Sequence, residues 1–396
     1  MLQTAPAPSS TVPQPLEFGP LDVAFHRSVE DLGESAWAAC FPDEIEDFNY
    51  HRALEMAPVP GFDTGWYAVT SRGVLAGAAP VFSTSYDLAT TAQGMTARLL
   101  KAAQRWVPGR LTLRLSCLGS PVTEYCPIGL HPSLGREQRQ LVMVALVDYW
   151  TQHANGQGAT VQGIKDVRET DKGQFDEVLS SQGFHSISSL PSAYLPVTFG
   201  DKAGYFDRLS AATRKDMRRK LKLSSVIDIE FTSDASAVID DVMAMYRETR
   251  ARSDWAFEDV PAQYFLEVLA HKPETAVLAL YRCEGRLVGA NLLLQNDRQL
   301  LDKFFVARAA DTRAHNLYFL SWFANVERCL QCGLDVYVSG AAGYETKLRL
   351  ACRLEPNWIY FRHRSTMIHA LLRAVSPWLA VPQPDAKRSN LPAPSP

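Results

Sequence analysis

Two stretches decide the fold: WYAVTSRGVLAGAAPVF, residues 66–82, and LALYRCEGRLVGANLLL, residues 278–294. Each reads as an apolar strand, a short polar turn ending in glycine, and a second apolar strand holding another glycine. Gly73 and Gly77 in the first correspond to Gly285 and Gly289 in the second, both at an offset of 212 residues. A turn glycine permits positive φ, so each stretch predicts a β-hairpin. The flanks repeat as well. The helical stretches SVEDLGESAWAACF and YHRALEMA precede the first hairpin; ASAVIDDVMAMYRETRA and PAQYFLEVLA precede the second. After each comes a further strand, a long amphipathic helix and a short strand: EQRQLVMVALVDYWTQHA with ATVQGI, then NLYFLSWFANVERCLQC with LDVYVSG. Leu317, Leu320, Phe323, Ala324 and Leu330 approximate helical spacing, and Gly333 is placed to stop that helix. The chain therefore reads as two domains on one plan, residues 21–198 and 199–374, of the α/β (α+β) class.

The 396 residues are 46% hydrophobic and 21% charged, a globular balance that excludes a wholly disordered chain. Lys+Arg number 40 and Asp+Glu 43, a net charge of −3, so any contact with a polyanion must come from a local patch. No stretch approaches the roughly 20 apolar residues of a membrane helix. Residues 1–20 lack the basic and apolar regions of a secretory signal and read as a disordered lead-in. Residues 375–396, rich in Pro and Ser, read as a disordered tail. The seven cysteines are scattered, which suits reduced thiols and a cytoplasmic location. Cys329 and Cys332 have C-x-x-C spacing but fall in a helical pattern with no second pair at finger spacing, so no metal site is expected. No G-x-S-x-G, H-E-x-x-H or P-loop is present.

The order of elements resembles the acyl-CoA N-acyltransferase (GNAT) fold. Two copies in one chain resemble its FemAB-like and CelD-like branch. The residues that carry the likeness are the basic helix TRKDMRRKLKL and the ending QCGLDVYVSGAAGYETKLRL, with LEFGPLDV and LGSPVTEYCPIGLHP in the first half. The resemblance implies tandem GNAT-like domains with mixed central sheets flanked by helices, the second being catalytic. It implies an N-acyltransferase that moves an acyl group from a thioester to an amine, with acyl-CoA or an acyl carrier protein as co-substrate and no tightly bound cofactor. The acceptor would be a small molecule, or a cell-envelope or secondary-metabolite amine. Enzymes of this fold commonly hold the coenzyme A pyrophosphate with R/Q-x-x-G-x-G/A ahead of the long helix. The matching stretch here is Arg313-Ala314-His315-Asn316-Leu317-Tyr318, with the arginine but without the glycines. That departure leaves an acyl carrier protein or an aminoacyl-tRNA as alternative carriers. A nucleic acid enters only in the tRNA case.

Candidate residues follow. Arg214, Lys215, Arg218, Arg219, Lys220 and Lys222 crowd one helix beside a single acid, Asp216, and 214, 218 and 222 share a face. Arg214, Arg218 and Arg219 would bind an anionic donor; the bland reading is a solvated helix face. Arg313, His315 and Asn316 are expected at the donor, with Asn316 alternatively an N-cap. Lys347, behind small residues at a strand end, would stabilise an oxyanion or hold a phosphate. Tyr344 is the thiolate acid that the resemblance implies, and Glu345 or Asp335 the base. Arg247, Arg250 and Trp255 would line the acceptor cleft, Arg247 and Arg250 also being favoured at a helix C-terminus without any ligand. The loop LGSPVTEYCPIGL would form a wall of the inter-domain cleft through Glu124 and Tyr125. The rival reading is a non-catalytic protein that keeps this fold and holds an anionic partner through helix 214–222.

Overall fold

A computed structural model describes residues 18–87, 112–252, 257–341 and 343–379. The lead-in up to residue 17, the last seventeen residues and Trp255 lie outside the described residues.

The predicted hairpins form. The first joins β2 (Asp63–Ser71) to β3 (Val74–Asp87), and the second joins β9 (Ala276–Cys283) to β10 (Arg286–Gln295). Each loop has two residues, both with positive φ: Arg72 (49°) and Gly73 (80°), Glu284 (50°) and Gly285 (79°). That geometry matches the right-handed strand twist and lets the pair close. The second glycines mark repeated bulges. Val69 pairs with Gly77 and Thr70 with Leu75, leaving Ala76 as the extra residue. Tyr281 pairs with Gly289 and Arg282 with Leu287, leaving Val288 extra at the same offset. Gly77 is also a close approach, since a Cβ there would lie 2.9 Å from the Gly129 carbonyl oxygen.

The other elements of the first half are β1 (Leu21–His26), α1 (Glu34–Cys40), α2 (Phe48–Met56), β4 (Thr112–Leu118) and β5 (Gly129–Leu130). They continue with α3 (Arg136–Gly156), β6 (Val161–Arg168), α4 (Glu169–Leu179) and β7 (His185–Pro196). The second half has α5 (Lys202–Arg208), α6 (Ala211–Leu223), β8 (Ile227–Thr232), α7 (Ile239–Arg250) and α8 (Ala262–His271) before its hairpin. After the hairpin come β11 (Gln299–Ala307), α9 (Ala309–His315), α10 (Leu317–Cys332), β12 (Val336–Gly340), α11 (Tyr344–Arg349), β13 (Arg353–His363) and α12 (Thr366–Leu379). Gly333 closes α10 in the left-handed region, as its position predicts.

The halves share one thirteen-stranded sheet among the described residues, in the order β1-β2-β3-β4-β6-β13-β7-β12-β11-β10-β9-β8, with β5 beside β3. Matching β7 with β13 makes the order read the same from either edge. The two parallel contacts, β4 with β6 and β11 with β12, are equivalent under that match. The last strand of each half crosses to the other: β13 pairs with β6, and β7 pairs with β12. The chain passes between halves at 196–201, yet the sheet is not divided there.

Alternate residues of each strand face two layers. Leu278 and Leu280 join the core under α7, α8 and α2, whereas Ala279 and Tyr281 join the core under α5, α6 and α10. The first layer spans both halves. Tyr50, third residue of α2, and Tyr264, third residue of α8, meet hydroxyl to hydroxyl at 2.8 Å, each fully buried.

One boundary needs correction. The tail expected to begin at 375 is helical to Leu379. Ser376 is buried and shares a 2.9 Å hydrogen bond with His185 Nε2 on β7, which ties that last turn to the sheet.

The exchange predicts that residues 199–379 expressed alone will not form a stable monomer, because β12 and β13 both lose β7. Co-expression with residues 18–198 is expected to restore a soluble complex that unfolds in one transition, read by circular dichroism. A stable, cooperatively folded 199–379 monomer would contradict it.

Candidate active site

A cleft of about 550 Å³ opens at the centre of the sheet on the α2 and α8 face. Its size is that of a small-molecule site. Strand alternation supplies the apolar wall: Leu115 and Cys117 from β4, Val161 and Gly163 from β6, Ile359 and Phe361 from β13. Phe82, Phe257 and Phe304 complete it.

The charged residues arrive through two bulges. On β11, Leu292 pairs with Phe304 and Leu293 with Asp302, so Lys303 is the extra residue. On β6, Trp358 pairs with Val167 and Tyr360 with Ile164, so Lys165 and Asp166 stand opposite Ile359 alone, with Asp166 at φ 51°. A bulge re-aims a side chain that regular pleating would send elsewhere. Lys303 Nζ donates to Glu46 Oε1 and to the Val122 carbonyl, both at 2.6 Å. Glu46 Oε2 accepts the Glu124 N–H at 2.8 Å. The pair is almost fully buried, the side chains being 6% and 3% exposed. Burial pushes the Lys303 ammonium down, but Glu46, Tyr264 and Glu124 together outweigh it and hold the charge. One ion pair thus fastens the 119–128 loop to β11. Lys165 Nζ holds the same loop by donating to the Thr123 carbonyl at 3.1 Å, and it pairs with Asp166.

That loop presents Glu124 to the cleft. Ser192 Oγ of β7 donates to Glu124 Oε1 at 2.7 Å, and Asn357 Nδ2 of β13 donates to Ser192 Oγ at 3.0 Å. A Cβ built on Gly340 would lie 3.5 Å from Glu124 Oε2. The carboxyl therefore sits at the C-terminal end of β12, past the point where parallel pairing with β11 stops at Leu301 and Val338. Burial pushes its pKa above the usual carboxylate range; Lys303 and the Ser192 hydrogen bond pull it part of the way back. A half-buried carboxyl with a raised pKa in a cleft has the character of a proton acceptor.

The sequence candidates fall around this site unevenly. Lys347 is buried, and its Nζ donates to the carbonyls of Ser339 (2.7 Å), Gly340 (3.0 Å) and Ala341 (3.1 Å). All three protons are used, so the expected oxyanion or phosphate role gives way to clamping the end of β12 behind Glu124. The Tyr344 hydroxyl donates to the Pro191 carbonyl at 2.9 Å and ties α11 to β7. Glu345 is exposed. Asp335 precedes the opposite end of β12, paired at 3.5 Å with exposed Arg298, too far along the strand to act as base here.

The basic helix α6 lies on the other face of the sheet, packed with α10. Arg214 pairs with Asp207 at 2.8 Å; Arg219 and Lys220 both pair with Asp216 at 2.9 Å. Arg349 of α11 reaches the same Asp216 at 3.6 Å. Lys215, Arg218, Arg219 and Lys222 remain exposed. Ser224, which caps α6, donates its hydroxyl to the His315 carbonyl, so α6 ends against the α9–α10 junction where exposed Arg313 stands. The C-terminal end of α6 thus meets His315, while Arg214, near the other end of the helix, is held by Asp207. Asn316 occupies the N-cap position of α10 in the left-handed region, but its side chain makes no cap hydrogen bond there. Arg247 is exposed. Arg250 Nε donates to the Glu258 carbonyl at 3.1 Å, fixing part of the cleft wall rather than waiting for an acceptor carboxylate.

The residues missed by sequence are Glu46, Lys165, Asp166, Ser192, Lys303 and Asn357. Lys165–Asp166 and Asp302–Lys303 are charged pairs interrupting apolar strands, which was the available signal.

Residues 211–348 match the acetyltransferase (GNAT) domain family. The second half of the chain is similar to a GNAT domain over that stretch. The match begins at α6 and runs to α11, so it contains the basic helix, the α9–α10 junction and the β11–β12 opening. Among solved structures, FemX is similar over 90% of this chain and 100% of its own, with TM-score 0.57 and 11% identity. The tandem GNAT protein from the clavulanic acid biosynthesis pathway is similar over 87% and 99%, with TM-score 0.50 and 13% identity. These likenesses extend the GNAT fold to both halves. A protein of Mycobacterium tuberculosis, putative 8-amino-7-oxononanoate synthase 2, is 23% identical over 300 residues. They make up 74% of this chain, but only 38% of that relative's length. No helix among the described residues is long and apolar enough to cross a membrane.

Lys347→Met is expected to leave three carbonyls without a donor and to cost at least about 2 kcal/mol, measured as a lowered urea midpoint at unchanged slope. Glu345→Gln, at an exposed position, is expected to leave the midpoint unmoved.

Proposed function

We propose that the chain is an N-acyltransferase in which Glu124 takes a proton from an amine held in the central cleft. The observation that carries this reading is the half-buried Glu124 carboxyl at the end of β12, hydrogen-bonded to Ser192 beside the opening between β11 and β12 in the GNAT domain. In the reaction, the ammonium proton passes to the Glu124 carboxylate. The neutral nitrogen attacks the thioester carbonyl carbon, the C–N bond forms, the C–S bond breaks, and the thiolate leaves with the proton that the nitrogen gives up on becoming an amide. An anionic donor would approach from the α6 face, where Arg218, Arg219 and Arg313 are exposed on the side of the sheet opposite the cleft. The two substrates then reach the β11–β12 opening from opposite faces.

The donor is an acyl thioester of coenzyme A or of an acyl carrier protein. The exposed cations of α6 and the absence of glycines at 313–318 favour the carrier protein, whose acidic surface a basic helix would steer. An aminoacyl-tRNA is the second carrier to test, and a cytoplasmic location goes with any of these donors.

The test is mass spectrometry of N-acylated products from amine mixtures with acyl-CoA, acyl carrier protein or aminoacyl-tRNA. Glu124→Gln is expected to lower kcat by about 10²–10⁴-fold. In the wild type the rate should fall as pH drops through the raised pKa of Glu124, since the base works only when deprotonated. Arg218→Glu with Arg219→Glu should raise KM for the donor and leave kcat nearly unchanged. Wild-type turnover in Glu124→Gln would refute the assignment of the base.

A further inference from the structure

Resting on the reading of the cleft as the acceptor side, we infer that the acceptor is an apolar primary amine, an alkyl- or arylalkylamine whose side group lies along β4, β6 and β13. Charge comes first. Two lysines, Lys165 and Lys303, are met by four carboxylates: Glu124, Asp166 and Glu258 on the cleft wall, and Glu46 behind Lys303; Lys347 behind Glu124 is opposed by Asp302. Both lysines are already engaged, Lys303 by Glu46 and the Val122 carbonyl, Lys165 by Asp166 and the Thr123 carbonyl. The remaining charge is negative, so the cleft favours a cation and disfavours a carboxylate or phosphate.

Shape comes second. Away from Glu124 the wall is aliphatic and aromatic: Leu115, Val161, Phe257, Phe304, Ile359 and Phe361. Gly163 lies on this wall opposite Phe361 in the sheet, and lacks the side chain that would fill the space. A Cβ there would have its nearest neighbours at 3.5–3.6 Å, ordinary contact distances, so packing does not require a glycine. The glycine leaves room for a ligand beside an otherwise complete apolar wall. A ligand with one ammonium at Glu124 and an apolar body along Gly163 satisfies both features. An acyl tail would use the apolar wall and leave the negative end unmatched.

Titration calorimetry of the full chain at pH 7.5 tests this with n-butylamine, n-hexylamine and n-octylamine, and with hexanoate and 1-hexanol as controls. Affinity is expected to rise about fourfold per added methylene. Hexanoate should bind at least tenfold more weakly than hexylamine. Gly163→Leu should weaken hexylamine at least tenfold. Gly163→Ala, which places its Cβ without a clash, should give a smaller loss in a protein of unchanged circular dichroism. Glu124→Gln should weaken hexylamine tenfold and leave hexanol unchanged. Hexanoate binding as tightly as hexylamine would assign the wall to an acyl tail and overturn the inference. Affinity independent of chain length, or of both Gly163 variants, would overturn it too. The two readings fail separately. Amines that bind in this way but are never acylated refute acyl transfer and leave the apolar amine site standing. Acylation confined to polar amines refutes the apolar amine and leaves acyl transfer standing.

Discussion

Everything central in this molecule depends on the exchange of the last strand between halves. β7 leaves the first half to pair with β12, and β13 returns from the second to pair with β6. Backbone donors and acceptors in the middle of a sheet must be paired, and here each half supplies what the other lacks. The exchange makes one continuous sheet from a duplicated plan. It also brings β4, β6, β7, β11, β12 and β13 around a single cleft. Neither half could build that cleft alone.

The chemistry at the cleft is organised by defects in that sheet. The bulges at Lys165–Asp166 and Lys303 admit charged residues to an apolar surface. The buried Glu46–Lys303 pair then anchors the loop that carries Glu124. A buried ion pair adds little to stability when weighed against well-packed apolar residues, but breaking one partner leaves an uncompensated charge. Its value here is positional, because it joins a residue before α2, a loop after β4 and a strand of the other half. Lys347 plays a related part, fixing the end of β12 through three carbonyls. The two sides of the sheet differ in charge. The α6 face carries exposed arginines and lysines, and the α2 and α8 face carries the acid-rich cleft.

Much of the architecture was legible in the sequence, and its chemistry much less so. The hairpins at 66–82 and 278–294 have turn glycines, Gly73 and Gly285, written at fixed positions, because glycine takes the positive φ of those turns without strain. The clustering of cations on the basic helix could be read from their spacing. Lys347 and Tyr344 were conspicuous as chemical groups beside small residues, yet their polar atoms are spent on backbone carbonyls. Glu124 was expected on the wall of the cleft from its loop, and the structure places it there; its role as a proton acceptor was not legible, because nothing local distinguishes a loop carboxylate that will be desolvated from one that will be solvated.

What the sequence alone determined is what short-range physics controls: turn chemistry, helix stops, strand alternation and the clustering of like charge on α6. Only the tertiary structure decided which strand pairs with which across the halves, and therefore which carboxylate is desolvated. Strand exchange joins residues such as Glu124, Ser192, Lys303 and Asn357 that lie far apart in the chain. Their mutual distances, not their identities, set the raised pKa and the negative cleft. Burial and electrostatics depend on those distances, and no local pattern encodes them.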